Sequence, residues 1–109
     1  MREPIFQARA TLLPAAQRPR LIPAWRPAIS PIASSQVEPD LSIPSLGIFF
    51  ASGPDEAQIG NTFSCAFQLL TWPDPACDPI AVGVEFAFLE GTTMVGMGKV
   101  VAVDHADGA

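Results

Sequence analysis

Proline is spread along most of this chain, and that distribution limits the possible folds more than any other feature. All 12 prolines lie within residues 1–79, and the last 30 residues contain none. Proline lacks a backbone donor and fixes φ, so a long helix cannot persist through residues 1–79. Strands tolerate proline at their ends, at sheet edges and in loops. The pattern therefore favours an all-β or loop-rich chain.

Several short segments between the prolines and turns have the apolar alternation of β-strands. We predict strands over residues 5–13, 28–36, 46–51, 62–70, 83–89 and 93–103. The clearest is TFSCAFQLL (62–70), where every second residue is apolar, as expected for a half-buried antiparallel strand. The last two segments form a hairpin. Short strands separated by turns predict a small six-stranded antiparallel Greek-key-like barrel or a sandwich.

Length and composition predict one domain with a buried core. The chain has 109 residues, of which 49% are hydrophobic and 16% are charged. That apolar content makes global disorder unfavourable. We expect a barrel over about residues 5–103 and a frayed tail over 104–109. The alternation predicts that six side chains point inward and meet, namely Phe63, Cys65, Phe67, Val84, Phe86 and Phe88.

The net charge of −5 conceals a difference between the two parts of the chain. All five arginines lie within the first 26 residues against one acid, Glu3, giving +4, whereas residues 27–109 hold Lys99 and ten acids, giving −9. The acidic part repels nucleic-acid phosphates, and the arginine cluster could attract them. The favoured interpretation is that the arginines pair with the acidic remainder of the same domain.

No catalytic, metal-binding or cofactor-binding motif is present in the sequence. His105 is the only histidine, and neither Cys65 nor Cys77 has the spacing of a zinc site. A disulfide between these two cysteines is possible but cannot be deduced from spacing. We therefore expect no enzyme activity, no metal and no cofactor.

Nucleotide binding is not expected either, because no GxxxxGK[ST] motif is present. Gly96 and Gly98 form a Gly-x-Gly, but they lie in a hairpin and not between a strand and a helix. In that context they predict a close backbone approach, a bulge or a bend. No apolar run reaches the roughly 20 residues of a membrane span and no secretory signal is evident, so we expect a cytoplasmic protein.

The segment GVEFAFLEGTTMVGMGKVV (83–101) resembles the end of the C-terminal β-barrel of bacterial elongation factor Tu. The residues that match that family's pattern are Gly83, Phe86, Glu90, Gly91, Val95, Gly96, Gly98, Val100 and Val101. Trp25-Arg26-Pro27 resembles the family's aromatic-Arg-Pro step, and Gly60 fits a turn glycine before the strand at 62–70. The resemblance implies that the chain is this barrel standing alone, without the GTPase domain.

In that family the barrel binds other parts of the factor and the T-stem backbone of aminoacyl-tRNA. The resemblance implies that the Glu90-Gly91 turn is one such contact. Two other parts of the tRNA-contacting surface are not retained, because the position after Arg-Pro is Ala28 and the polar run beyond it reads Ile-Ala-Ser-Ser over 32–35.

We therefore expect a non-catalytic binding module for a protein partner, with a possible link to translation. The alternative is an RNA-binding module that uses the arginine-rich N-terminal loop on tRNA-like ligands. The candidate binding surface comprises Arg18, Arg20, Trp25, Arg26, Trp72, Glu90 and Gly91. A protein partner would use the Trp72 loop, where the indole and the Pro and Asp residues of 73–79 are expected to form a rigid protrusion. Two alternatives stay open for Trp72 itself, exposure and packing at the core or rim, and packing is favoured because tryptophan usually buries most of its area.

Overall fold

The computed structural model describes residues 3–32 and 45–105, with the backbone alone described at His105. The strands are β1 (Pro4–Leu12), β2 (Arg20–Leu21), β3 (Ala28–Ile32), β4 (Leu46–Ser52), β5 (Glu56–Ala57), β6 (Thr62–Leu69), β7 (Glu85–Glu90) and β8 (Thr93–His105). Short 3₁₀ turns occupy Pro14–Ala16 and Pro75–Cys77. Within the described ranges, no helix is long and apolar enough to cross a membrane.

Six of these strands form one antiparallel sheet in the order β1-β6-β4-β3-β7-β8, and β1 also pairs with β8, so the sheet closes on itself. Strands β2 and β5 form a separate two-stranded sheet. The predicted all-β class and the six-stranded antiparallel sheet are confirmed. Each predicted strand coincides with a member of the sheet, although residues 33–36 of the second one lie outside the described residues.

Two strand ends differ from the expectation of a barrel over 5–103 with a frayed tail. Strand β1 begins one residue earlier, at Pro4, where a proline at the first strand position removes no interior donor. Strand β8 continues through Asp104 and His105, because these residues pair with Ile5 and Pro4 of β1. The remainder of the predicted tail, 106–109, lies outside the described residues.

A row of aromatic rings fills the space enclosed by the sheet. Neighbouring ring centroids lie 5.6 Å apart for Phe6 and Phe67, 5.6 Å for Phe67 and Phe86, and 5.2 Å for Phe86 and Phe88. Trp25 continues the row at 5.0 Å from Phe88. These separations are typical of favourable aromatic pairs, so the row adds directional packing to simple burial.

Most of the predicted core is confirmed. Cys65, Phe67, Phe86 and Phe88 are buried together, and Phe63 is half-buried and packs against them. The prediction for Val84 is wrong, because this residue precedes β7 and is only half-buried. The alternating pattern of apolar residues in β7 continues backwards to Val84, which lies at the end of the preceding loop, so the prediction included it in the strand.

The two glycines of β8 allow the backbone to lie against the aromatic row. A Cβ atom on Gly98 would lie 2.7 Å from the Phe86 ring and 3.0 Å from the carbonyl oxygen of Arg9. A Cβ atom on Gly96 would lie 3.0 Å from both the Phe88 ring and the carbonyl oxygen of Thr11. A close backbone approach, one of the three alternatives predicted for this Gly-x-Gly, is therefore present.

Candidate functional site

Three of the seven predicted site residues meet at one end of the sheet, and we call them the Glu90 cluster: Arg20, Trp25 and Glu90. Arg20 lies on β2, Trp25 follows in the loop before β3, and Glu90 is the last residue of β7. The Arg20 guanidinium donates from Nε to Glu90 Oε2 at 2.7 Å and from Nη2 to Oε1 at 2.6 Å. This is a bidentate pair, the most directional form of an ion pair between these side chains.

The remaining donors of Arg20 are also directed into the protein. Nη1 donates to the carbonyl oxygen of Arg18 at 2.6 Å and lies 3.4 Å from that of Pro19, and Nη2 donates to that of Ala16 at 3.1 Å. A guanidinium has five N–H groups, and these contacts together with Glu90 engage all of them. These bonds from Arg20 hold the loop between β1 and β2 in place. Arg20 therefore retains no donor for an external phosphate.

Trp25 connects the Glu90 cluster to the core. Its indole Nε1 donates to Glu90 Oε2 at 2.7 Å, while its ring stacks on Phe50 with centroids 5.7 Å apart. The side chain is only 8% exposed. A buried indole N–H needs a hydrogen-bond acceptor, and the Glu90 carboxylate is that acceptor. Trp25 therefore packs in the interior.

The electrostatics of the Glu90 cluster follow from these bonds. The Arg20 hydrogen bonds lower the pKa of the Glu90 carboxyl below its usual value; partial burial opposes this, and the Trp25 indole and the nearby charge of Arg18 reinforce it. The same hydrogen bonds raise the pKa of the Arg20 guanidinium. The pair is therefore fully ionised at neutral pH. The interpretation that the arginines pair with acids of the same domain is confirmed for Arg20.

Three other predicted site residues lie around the cluster and are exposed. Arg18 borders a polar cavity of about 300 Å³ beside Arg20 and Glu90. Arg26 is exposed, and its Nη1 donates to the carbonyl oxygens of Pro23 and Trp25 at 3.1 Å each. Gly91 makes the β7–β8 turn at φ +65°, a conformation that glycine adopts without strain.

The seventh predicted residue, Trp72, lies elsewhere. It is in the loop between β6 and β7, where its ring is half-buried and packs against the interior cluster. Of the two alternatives for Trp72, packing at the core or rim agrees with the structure, because the indole is half-buried against core residues. Asp74 stabilises this loop as a cap, accepting from the Ala76 backbone N–H at 2.8 Å.

Trp72 borders an open cavity of about 400 Å³, which we call the Trp72 pocket. Its main lining residues are Pro4, Phe6, Trp72, Ile80, Val82 and Val103, with Cys77, Asp78 and Ala81 completing it. Val82 is 61% exposed, whereas Ile80 is 5% exposed. The volume lies in the range of sites that accept a ligand or a partner side chain, and most of the lining side chains are apolar.

The Trp72 pocket and the Glu90 cluster lie at opposite ends of the paired strands β1 and β8. The pocket contacts the start of β1 and Val103 near the end of β8. The polar cavity of the Glu90 cluster lies beyond the end of β1 and contacts Thr93 at the start of β8. The candidate residues therefore divide between two sites and do not form one surface.

Sequence reasoning missed the apolar side chains that form the Trp72 pocket. Ile80 and Val82 were assigned to a loop, Pro4 preceded the first predicted strand, and Val103 ended the last one. The available signal was the apolar run Ile-Ala-Val at 80–82, which is unusual in a loop otherwise rich in Pro and Asp. Its proximity to β1 and β8 depends on tertiary structure.

No metal-binding arrangement is present in the described residues: no group of three or more His, Cys, Asp or Glu side chains could hold an ion there. Cys65 and Cys77 are both buried free thiols. Burial raises the pKa of the Cys65 thiol to about 12, so it is protonated and a poor nucleophile at neutral pH.

A scan against models of known protein families and a search of curated proteins both found no match to this chain. The geometry of the two ends of the sheet is therefore the basis for a functional inference.

Proposed function

We propose that this protein is a non-catalytic binding module that recognises a protein partner through the Trp72 pocket. The observation that carries the proposal is an open cavity of about 400 Å³ lined mostly by apolar side chains, one of which, Val82, is 61% exposed. Exposed apolar side chains around a cavity mark interaction sites, and a half-buried Trp is a frequent anchor in them.

The closed sheet supports recognition by side chains at its end. Within the described residues, every strand of the six-stranded sheet pairs on both sides. A partner therefore finds no free edge on that sheet to which it could add a strand. Loops and side chains at the ends of the strands are the remaining sites, and the Glu90 cluster already uses most of its polar groups internally.

The alternative function is RNA binding through the N-terminal arginine loop. The exposure of Arg18 and Arg26 favours it, since phosphate contacts need accessible cations. The engagement of Arg20 with Glu90 and three carbonyl oxygens weakens it, because this leaves fewer cations for phosphate. The acidic balance of residues 27–109 opposes it further.

The finer fold assignment is also a proposal: the closed sheet is a barrel of the kind found at the C terminus of elongation factor Tu. It is supported by the Glu90-Gly91 turn between β7 and β8 and by the glycines of β8 against Phe86 and Phe88. A link to translation and a cytoplasmic location belong to the same proposal. Function does not follow from fold alone, so the fold and the location do not identify the partner.

The test is affinity capture from native cell extract with the parent and two matched variants, Val82→Asp and Val101→Asp. Both valines are exposed, at 61% and 46%, but Val101 is not part of the Trp72 pocket. We expect a nuclease-resistant set of captured proteins that Val82→Asp abolishes and Val101→Asp retains. Capture unaffected by Val82→Asp would contradict the proposal.

A gel-shift series with bulk tRNA addresses the alternative. We expect weak or no binding at physiological salt, with any low-salt binding lost steeply as salt increases. Arg18→Ala and Arg26→Ala are the informative changes, because neither removes the Arg20–Glu90 pair. Tight binding at physiological salt that these changes abolish would favour RNA over a protein partner.

A further inference from the structure

We propose that the partner group held in the Trp72 pocket is a large apolar side chain flanked by lysine or arginine. This inference rests on the proposed protein-binding function and specifies the chemistry of the partner. It follows from two properties of the pocket: most of its lining side chains are apolar, and an exposed aspartate, Asp78, lines it.

The interior selects an apolar side chain. The cavity is bounded by the rings of Phe6 and Trp72 and by the aliphatic side chains of Ile80, Val82 and Val103. Polar atoms also face the cavity, but most of the lining side chains are apolar, so a large apolar group buries more apolar area there than a polar one. The volume of about 400 Å³ leaves room for a group as large as an aromatic ring.

The surround selects positive charge. Asp78 lines the cavity and is exposed, and Asp74 belongs to the same loop. Residues 70–84 contain no lysine or arginine. Cationic groups beside the anchor would therefore meet complementary charge, which increases specificity and association rate.

The acids of the loop are not equivalent. The Asp74 side chain is used within the protein, since it accepts from the Ala76 backbone N–H at 2.8 Å. Asp78 is also part of the 3₁₀ turn, but it contributes through its backbone N–H, which donates to the carbonyl oxygen of Pro75. Asp78→Asn therefore changes the charge of the pocket without removing a side-chain cap, whereas a change at Asp74 would disturb the loop.

The experiment uses three synthetic peptides as probes and the full chain labelled with ¹⁵N. The peptides are blocked pentapeptides, Gly-Lys-Phe-Lys-Gly, Gly-Lys-Ser-Lys-Gly and Gly-Glu-Phe-Glu-Gly. The Trp72 indole N–H and the Val82 amide report binding at the pocket, and the Trp25 indole reports the other end. Titrations run with the parent, with Asp78→Asn and with Glu56→Gln, an exposed acid on β5.

We expect Gly-Lys-Phe-Lys-Gly to bind at least about tenfold more tightly than either other peptide, with shifts at Trp72 and not at Trp25. Its affinity should fall with salt and by about threefold in Asp78→Asn, and it should be unchanged in Glu56→Gln. Equal affinity for the lysine and glutamate peptides would overturn the inference, as would no saturable shift with either phenylalanine peptide.

Failure of this inference can be distinguished from failure of the proposed function. If Val82→Asp abolishes capture from extract but the peptides show no preference for lysine, the pocket binds proteins and the assigned partner chemistry is wrong. If capture is unaffected by Val82→Asp, the binding function itself is assigned to the wrong surface. An amide spectrum of Asp78→Asn that superposes on the parent outside the loop verifies that the variant is folded.

Discussion

The two ends of the sheet use their aromatic and charged residues in opposite ways. In the Glu90 cluster, an arginine, an indole and a carboxylate satisfy one another, with the Arg20 side chain only 11% exposed. At the Trp72 pocket, a second indole and several apolar side chains surround open space, and Val82 is 61% exposed. A group whose bonds are complete within the fold serves stability, whereas an uncovered apolar cavity favours binding another molecule.

The comparison teaches that residue type alone does not identify a binding surface. Tryptophan, arginine and glutamate are all plausible contact residues, and both ends of this protein contain a tryptophan. Trp25 is used internally because its N–H reaches Glu90 at 2.7 Å. Trp72 differs because its ring borders an open cavity.

The largest expected effect concerns the aromatic row that both ends share. Phe86→Ala should lower the free energy of unfolding by about 3–5 kcal/mol, because the ring is fully buried between Phe67 and Phe88. Thermal and urea melts provide the measurement. A variant as stable as the parent would show that the aromatic row does not stabilise the sheet that carries both ends.

Breaking the Glu90 cluster should have a smaller effect. Glu90→Gln should cost about 1–2 kcal/mol at pH 7, since the Glu90 side chain is 37% exposed and water screens its pair with Arg20. Urea melts of this variant and of Glu85→Gln, an exposed acid at the start of β7, provide the comparison. Equal stability of Glu90→Gln and the parent would remove the structural role assigned to the cluster.

The stability difference between the parent and Glu90→Gln should also depend on pH. The pKa of Glu90 is lowered in the folded protein, so its stabilisation is present above its ordinary value of about 4.3 and is lost as pH falls through the folded pKa. The stability difference between parent and Glu90→Gln should therefore shrink as pH decreases from 7 toward 3. A difference that grows on acidification would contradict the assigned ion pair.

The two cysteines should report a difference in local stability. Cys77 lies in the loop of the Trp72 pocket, whereas Cys65 lies on β6 between β1 and β4. Loops open with less free energy than strands within a sheet, so we expect Cys77 to react at least about tenfold faster with a thiol reagent at pH 8. The pKa of about 12 for Cys65 slows its reaction further. Rates measured on Cys65→Ala and Cys77→Ala decide the order, and equal rates would contradict it.

The smallest expected effect on folding is at the rim of the Trp72 pocket. Val82→Ser should change the free energy of unfolding by less than about 0.5 kcal/mol, because the side chain is largely exposed. Thermal melts beside Val101→Ser provide the check. A loss of several kcal/mol would mean that Val82 supports the fold, and the contrast with the Glu90 cluster would disappear.

Much of the fold was predictable because strand alternation is local. The pattern of TFSCAFQLL placed β6 within one residue of its observed end, and the turn of the β7–β8 hairpin was predicted between the strands at 83–89 and 93–103, where it lies. Val84 and the tail were misjudged for the same reason: the ends of strands depend on their pairing partners. Asp104 is in a strand because it pairs with Ile5, a residue 99 positions earlier.

The candidate site was only partly predictable. Arg20, Trp25 and Glu90 were each selected from the sequence, but their mutual bonds were not. Glu90 is 70 residues from Arg20 and 65 from Trp25 along the chain. No local pattern specifies which of several arginines reaches that carboxylate, because the choice depends on the path of the loop between β1 and β3.

The sequence by itself determined the all-β class and the approximate positions of the six strands of the closed sheet, but not the short strands β2 and β5. The class and the six positions follow from the proline distribution and from periodicity, which act between neighbours in the chain. Only the tertiary structure decided that Arg20 forms an ion pair within the protein and that Trp72 borders a cavity. Ion pairs and cavities form where distant segments meet, so their geometry is set by the closure of the sheet and the paths of its loops.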